Sequence, residues 1–156
     1  MNKILLVAII FLAGCSLKTP YQSSKPYFVV IKNAQMAVSS TGFIKKDNQR
    51  INLQLFSAGT PILNLHVESF ICSGLTCASR KSFNEEFFGY AHYESFIDEL
   101  LRLKPIYEGK NLLKTDRGFK QEIVTKNYEI VYRVEDGNLY FKDKKNKILI
   151  RLKELK

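Results

Sequence analysis

The N-terminal fifteen residues constrain this chain most strongly. One charged side chain, Lys3, precedes an unbroken apolar run over residues 4–13. The small residue Gly14 and then Cys15 follow that run directly. A charged start, an apolar segment of about ten residues and a small-residue cleavage site are typical of a secretory signal peptide. A bilayer-spanning helix needs roughly twenty apolar residues, so the pattern predicts export and removal of residues 1–14 rather than a transmembrane anchor.

The end of this segment, Leu12-Ala13-Gly14-Cys15, resembles a bacterial lipobox. The resemblance implies that Cys15 becomes the first mature residue and that its sulfur receives a diacylglycerol. Acyl chains then hold the protein on a bilayer, since each buried CH₂ contributes about 0.8 kcal/mol. Ser16, rather than an acidic residue, follows the cysteine. By analogy with lipoprotein sorting, we expect a lipid-anchored protein of the outer membrane whose domain faces the periplasm.

The chain after the predicted signal peptide has the composition of one soluble domain. It contains no second long apolar run, and it is long enough to bury a sizeable core. The whole sequence carries a formal net charge of +9. A basic surface attracts nucleic acid, anionic membranes or acidic partners, but export argues against nucleic acid. Two interpretations remain open: the charge keeps the domain soluble, or it attracts anionic lipid head groups.

Hydrophobic periodicity predicts how this domain is built. Residues 15–25 are mainly polar and are expected to form a lipidated, flexible tether, while residues 26–156 form a single domain. Apolar and polar residues alternate over 51–55 and again over 63–67, which predicts a hairpin with one apolar face. Asn33 is expected to form a β-bulge in the β-rich run that precedes this hairpin.

The periodicity changes in the middle of the chain. Ser82 and Glu85 match a capping box, and Gly89 can end a helix that begins there. A second helix is expected over residues 93–101, where apolar side chains recur at helical spacing. Alternating strands resume at Phe119. Helices between two β regions predict an α+β fold, and we expect a strongly curved antiparallel sheet, an incomplete β-barrel, whose concave face the two helices cover.

Cysteine and histidine side chains are candidates for disulfide formation, redox chemistry and metal binding. Cys72 and Cys77 form a pair that is expected to be a disulfide in an exported chain. Two free thiols, or a metal or redox role, are the alternatives. His66 lies on the polar face of a predicted strand and His92 just before a helix, and neither has cysteine or carboxylate neighbours at metal-ligand spacing. Both histidines are therefore expected to be surface or capping residues.

The sequence lacks the motifs of the common enzyme classes. It contains no nucleophile elbow, phosphate-binding loop or dinucleotide-binding pattern. Adjacent acidic residues on the predicted helices do not face one another. We therefore expect no catalytic residue, no metal and no cofactor. Tyr128 and Tyr132 alternate with charged residues and are expected to be core side chains rather than a stacking platform for nucleic acid.

A series of segments follows a recognisable order: a strand–turn–strand pattern, a helix running into a Leu-Lys-Pro-Ile sequence, a short Gly-containing segment and three late strands. These segments are residues 53–63, 93–106, 107–110, 119–123, 128–132 and 148–152. In pattern and order they resemble the LolB family, the outer-membrane receptors that take lipoproteins from a periplasmic carrier. The resemblance implies a non-enzymatic domain that accepts lipids or lipoproteins in an apolar cavity and helps to localise them to the outer membrane. The implied partners are the bilayer, lipoprotein cargo and a periplasmic carrier.

The expected cavity lining is aliphatic and aromatic. It comprises Leu53, Leu55, Leu63, Leu65, Phe83, Phe87, Phe96, Ile97, Leu100, Ile130 and Tyr132. At the hairpin turn, where the family presents a protruding apolar residue for membrane delivery, this chain has Ala58 with Phe56 nearby. The tryptophans of the family are absent. Three alternatives stay open: these side chains pack a solid core, the protein is a scaffold lipoprotein that docks a cell-envelope complex, or it is an adhesin or exposed antigen.

Overall fold

A computed structural model describes residues 19–156, so Cys15 and the predicted signal peptide lie outside the described residues. The strands are β1 Ser23–Lys32, β2 Ala37–Lys46, β3 Ile51–Ser57, β4 Thr60–Val67, β5 Phe70–Ser73, β6 Thr76–Ser79, β7 Leu112–Thr115, β8 Gly118–Val124, β9 Glu129–Glu135, β10 Asn138–Asp143 and β11 Ile148–Glu154. The helices are α1 Arg80–Phe88 and α2 Phe96–Leu101, followed by a 3₁₀ turn over Tyr107–Gly109.

All eleven strands belong to one open antiparallel sheet, in the order β6-β5-β4-β3-β2-β1-β11-β10-β9-β8-β7. The first and last strands pair in its middle, where Val29 lies opposite Leu152. The two edge strands, β6 and β7, are consecutive in the chain, and the helical segment connects them. The predicted α+β class is confirmed. The helical segment thus spans from one edge of the sheet to the other.

The sheet buries one face, and the period-two pattern explains which one. Ile51, Leu53 and Leu55 of β3 are at most 1% exposed. The same alternation on β9 buries Ile130 and Tyr132. Apolar side chains from both helices belong to the same core cluster as these residues. We call this buried side the inner face and the opposite side the outer face.

Helix α1 begins earlier than the capping box predicted. Ser79 is its N-cap, and the Ser79 hydroxyl oxygen accepts a hydrogen bond from the Ser82 amide at 3.1 Å. The prediction that Ser82 caps the helix is therefore wrong, because Ser79 already satisfies the free amides of the first turn. Gly89 ends α1 in the left-handed region at φ 65°, as predicted.

Three further local details differ from the expectations. Asn33 forms the β1–β2 turn rather than a bulge, because its side-chain oxygen accepts hydrogen bonds from the Gln35 and Met36 amides. Strand β1 begins at Ser23, so the last residues of the segment predicted as tether pair with β2. Strand β7 precedes Phe119, the residue at which the alternation indicated that strands resume.

The antiparallel pairing gives the sheet two distinct ends. The upper end carries the β1–β2, β3–β4, β5–β6 and β10–β11 turns. The lower end carries the β2–β3, β4–β5 and β9–β10 turns, and the described chain begins there. Arg50 in the β2–β3 turn donates a 2.7 Å hydrogen bond to the Thr19 carbonyl oxygen, and its guanidinium lies 4.8 Å from the Tyr21 ring centroid. Thr19 and Tyr21 are therefore held against the lower end.

Candidate functional site

An open pocket of about 220 Å³ lies near the upper end, between α1 and strands β4–β6. Its apolar lining is Met36, Leu63, Leu65, Ile71, Ala78, Phe83 and Phe87. Its polar lining is Asn33, Gln35, Ser73, Thr76 and Glu86. We call this cavity the α1 pocket. Four of the residues predicted to line a cavity, Leu63, Leu65, Phe83 and Phe87, surround it.

The walls of the α1 pocket follow directly from local sequence periodicity. Leu63 and Leu65 are alternate residues of β4 and therefore point to the same face of the sheet. Phe83 and Phe87 are four residues apart on α1 and stack with ring centroids 5.2 Å apart. The sheet thus supplies an aliphatic wall and the helix an aromatic one.

The disulfide lies behind the sheet wall of this pocket. Cys72 and Cys77 are bonded and lie directly opposite each other in the β5–β6 hairpin, in agreement with the expectation from the sequence. Gly74 takes a φ of 61° in the turn, which suits glycine at that position of a tight hairpin. Ser73 and Thr76, the neighbours of the cysteines, line the pocket. The bond therefore fixes the spacing of the two strands that form its outermost wall.

Polar side chains fix α1 across the mouth of the α1 pocket. The Asn33 amide donates to the Phe87 carbonyl oxygen at 3.0 Å. The Gln35 amide donates to the Glu86 carbonyl oxygen at 2.7 Å. Both acceptors belong to the last turn of α1, where helix carbonyls have no partner within the helix. The β1–β2 turn therefore holds the end of the helix that covers the pocket.

The other residues predicted to line a cavity lie in a closely packed core. They are Leu53, Leu55, Phe96, Ile97, Leu100, Ile130 and Tyr132, and each is at most 2% exposed. The Phe96 ring lies 4.8 Å from Phe88 and 5.9 Å from Phe141, centroid to centroid. The Tyr132 hydroxyl donates to the Lys104 carbonyl oxygen at 2.9 Å. This part of the interior contains packed side chains, and none of these residues lines the α1 pocket.

The turn predicted to act in membrane delivery is short. Ala58 and Gly59 form its tip with φ of 47° and 81°, and both are exposed. Phe56 does not reach the tip, since it is half-buried and lies edge-on to Phe43 with ring centroids 6.3 Å apart. The pairing register shifts between Leu55 and Phe56. The described turn therefore presents a methyl group where the family presents a larger apolar side chain.

The prediction that His92 is a surface or capping residue is wrong. It is 3% exposed and stacks on Phe96 with ring centroids 4.0 Å apart. Its Nδ1 lies 2.5 Å from the Tyr107 hydroxyl, while its Nε2 has no hydrogen-bond partner among the described residues. Burial lowers the pKa of His92 to about 4, and the charge of Asp143 opposes that change. The aromatic spacing of Tyr90, His92, Tyr93 and Phe96 was the available signal for a buried ring.

The tyrosines around His92 act as neutral hydrogen-bonding groups. Burial raises the pKa of Tyr93, Tyr107 and Tyr132. The Tyr93 hydroxyl contacts the Glu99 carboxylate and accepts a 2.8 Å hydrogen bond from the Tyr107 amide. These contacts connect α2 to the segment that follows it. The expected core positions of Tyr128 and Tyr132 are confirmed, since they are 9% and 0% exposed.

Within residues 19–156, no cluster of three or more histidine, cysteine or acidic side chains is arranged to hold a metal ion. Over the same residues, no helix has the length and apolar character needed to cross a bilayer. The α1 pocket can bury an apolar group without supplying many hydrogen bonds. Comparison with protein-family models gave no match, and comparison with curated proteins gave none either.

Proposed function

We propose that the protein is a lipid-anchored outer-membrane protein that binds an acyl chain in the α1 pocket and so accepts lipids or lipoproteins without catalysing a reaction. The observation that carries this proposal is the open, mainly apolar lining between α1 and strands β4–β6. An acyl chain has no hydrogen-bonding groups, so Leu63, Leu65 and Phe87 are suitable contacts for it. Each buried CH₂ would contribute about 0.8 kcal/mol to binding.

The size of the α1 pocket limits what it accepts. Its volume of about 220 Å³ is below the roughly 300–1,000 Å³ that is typical of sites for drug-sized ligands. The pocket therefore accommodates part of one chain rather than a whole lipid. A longer ligand requires α1 to move outward, and Phe83 and Phe87 are only partly buried on that helix. The proposed ligand is consequently a single acyl tail.

The proposal includes the finer architecture expected for such a carrier, with both helices covering the concave side of the sheet. Three observations support it: the sheet is open, the helical segment links its two edge strands, and apolar helix residues belong to the inner-face core cluster. The resemblance to the LolB family rests on the same segment order. A periplasmic carrier would then be the donor of the acylated cargo.

The position of the predicted lipid anchor determines which way the α1 pocket would face relative to the membrane. Cys15 lies four residues before Thr19, so even a fully extended chain places the Cα atoms of these residues within ~14 Å of each other. Thr19 is held at the lower end of the sheet, whereas the α1 pocket lies near the upper end. A protein anchored through Cys15 would present the pocket away from its own attachment point, towards a soluble donor.

Ligand binding tests the proposal directly. The full chain with Cys15→Ser is purified, its bound molecules are identified by mass spectrometry, and uptake of the apolar dye 1-N-phenylnaphthylamine is titrated. Ala78→Leu adds methyl groups inside the pocket and should lower dye uptake severalfold. Ala91→Leu, a matched addition at an exposed position, should leave uptake unchanged. No bound acyl group and equal dye uptake by the two variants would refute the proposal.

A scaffold lipoprotein that docks a cell-envelope complex is the second candidate. It is favoured by the close packing around α2, where predicted lining residues are at most 2% exposed. Crosslinking in cells separates the two functions. A stable protein partner, together with purified protein that carries no lipid, would support the scaffold and exclude the carrier.

A further inference from the structure

We propose that the outer face of strands β1 and β9–β11 is a docking surface for an anionic lipid bilayer. This inference is independent of the α1 pocket, which lies on the inner side of the sheet. It gives the exposed basic residues of this face a role in binding the bilayer. Cross-strand pairing, ion-pair geometry and exposed aromatic rings carry the argument.

Strand register places basic and apolar side chains in one row across this face. Val30 on β1 lies opposite Arg151 on β11, Arg151 lies opposite Tyr140 on β10, and Tyr140 lies opposite Arg133 on β9. The Arg133 guanidinium lies 4.8 Å from the Tyr140 ring centroid. An adjacent pair, Phe28 and Lys153, extends the same pattern. Together these residues line a shallow groove on the outer face.

The charges on this face are unbalanced. Its acidic residues each have a cation nearby: Glu129 with Lys144 at 2.5 Å and Glu135 with Arg117 at 3.8 Å. By contrast, Arg133, Arg151 and Lys153 are exposed and form no salt bridge within residues 19–156. The free charge of the face is therefore positive. It complements an anionic surface rather than a neutral one.

Exposed aromatic rings accompany these cations. Phe28 is 39% exposed and Phe43 is 42% exposed, on neighbouring strands of the same face. Aromatic side chains favour the boundary between lipid and water, where an apolar ring enters the bilayer surface. Basic residues beside them gain energy from anionic head groups within a Debye length. The combination of both types on one face favours a membrane over an acidic protein.

The fluorescence of a tryptophan introduced on this face measures whether the face itself contacts the bilayer. The chain contains no tryptophan, so a Phe28→Trp variant of the full chain gives a local fluorescence signal. Attachment through residues 1–18 alone does not change the environment of residue 28. The variant is titrated with vesicles of equal parts phosphatidylglycerol and phosphatidylcholine, and with vesicles of phosphatidylcholine alone. A blue shift with the anionic vesicles only, suppressed by salt, is the expected result.

Charge variants in the same background identify the cations responsible. Replacing Arg133, Arg151 and Lys153 together by Gln should weaken the response at least about tenfold, since each cation near a membrane contributes severalfold to affinity. The matched control replaces three exposed cations elsewhere, Lys81, Lys114 and Lys126, by Gln. It should retain the response, because it removes equal charge from other surfaces.

Several results would overturn the proposal. They are no shift with either vesicle, an equal shift with neutral vesicles, and equal losses in the two charge variants. A shift caused by polyglutamate but not by vesicles would instead assign the face to an acidic protein partner. Phe43→Trp provides a second reporter if Phe28→Trp fails to fold, and Leu75→Trp, at a fully exposed hairpin tip, should show no shift. Ala78→Leu should leave the response intact, which separates this surface from pocket binding.

Discussion

The two helices contribute to the core cluster in different ways. On α2, Phe96, Ile97, Leu100 and Leu101 are all buried. On α1, only Asn84 and Phe88 are fully buried, while Phe83 and Phe87 remain partly exposed beside the pocket. Similar apolar residues thus pack a solid core under one helix and leave space under the other. Apolar composition alone therefore does not decide between a core and a cavity; the extent to which the side chains of each helix are buried does.

Phe88 marks the boundary between these two regions. Its ring centroid lies 4.9 Å from Phe87 on the pocket side and 4.8 Å from Phe96 on the core side. On the pocket side of Phe88, the last turn of α1 is also held by the polar contacts of Asn33 and Gln35. A helix face that is held by a few hydrogen bonds can move more readily than one held by buried rings.

Truncating one ring from each helix tests this difference with the largest expected effect. Phe96→Ala should lower the free energy of unfolding by about 3–5 kcal/mol, because it leaves a cavity in a closely packed region. Phe83→Ala should lower it by about 1 kcal/mol, because that ring is only partly buried. Urea unfolding of the two variants measures both values. Similar losses would contradict the distinction between core and pocket.

The free energy of unfolding should also depend on pH through His92, which lies on the core side. Its pKa is lowered from 6.5 to about 4 in the folded protein, so the unfolded chain binds a proton more readily between these values. Stability is therefore fully present above about pH 6.5 and falls by about 3 kcal/mol as the pH approaches about 4. Urea unfolding across this range should show the decrease.

A histidine variant isolates that pH dependence from the titration of carboxylates. His92→Phe keeps an aromatic ring among Phe88 and Phe96 but cannot bind a proton, so the acid-dependent loss should become smaller by a similar amount. An unchanged profile in His92→Phe would exclude this histidine as the cause.

On the pocket side, the disulfide should have an intermediate effect on stability. Its cysteines are five residues apart, and closing so short a loop contributes about 2 kcal/mol. Cys72→Ser with Cys77→Ser should lower the free energy of unfolding by that amount and also weaken dye uptake, because β5 and β6 form the pocket wall. Retained dye uptake in a destabilised variant would show that the wall does not depend on the bond.

The parts of the fold that follow from local pattern were predictable. Alternation in 51–55 and 63–67 correctly indicated strands with one buried face, and Gly89 correctly indicated the end of α1. The pairing of β1 with β11 was not predictable, because it joins residues at opposite ends of the chain. The burial of His92 was predictable only in part, since Phe96 lies close to it in the sequence but Tyr107 and Tyr128 come from separate segments.

The candidate site was predictable only in part for a related reason. Sequence period assigns Leu63 and Leu53 equally to the inner face, yet Leu63 borders the α1 pocket and Leu53 is 1% exposed in the core. Which of the two borders a cavity depends on how the helix side chains pack against the strands. That packing includes contacts between separate segments, such as those of Phe88 with Phe96 and Phe141, and no local pattern records them.

The smallest expected change in the free energy of unfolding comes from a substitution at the mouth of the α1 pocket. Gln35→Ala removes the hydrogen bond to the Glu86 carbonyl oxygen, which should lower the free energy of unfolding by no more than about 1 kcal/mol. The same variant should take up the apolar dye faster, because the end of α1 loses one of its contacts with the β1–β2 turn. Gln49→Ala, at an exposed position in the β2–β3 turn at the lower end, is the matched control and should change neither quantity. Stopped-flow dye binding separates the outcomes: faster uptake with nearly normal stability means that α1 regulates access, whereas an unchanged rate means that the pocket is equally accessible with the helix fixed.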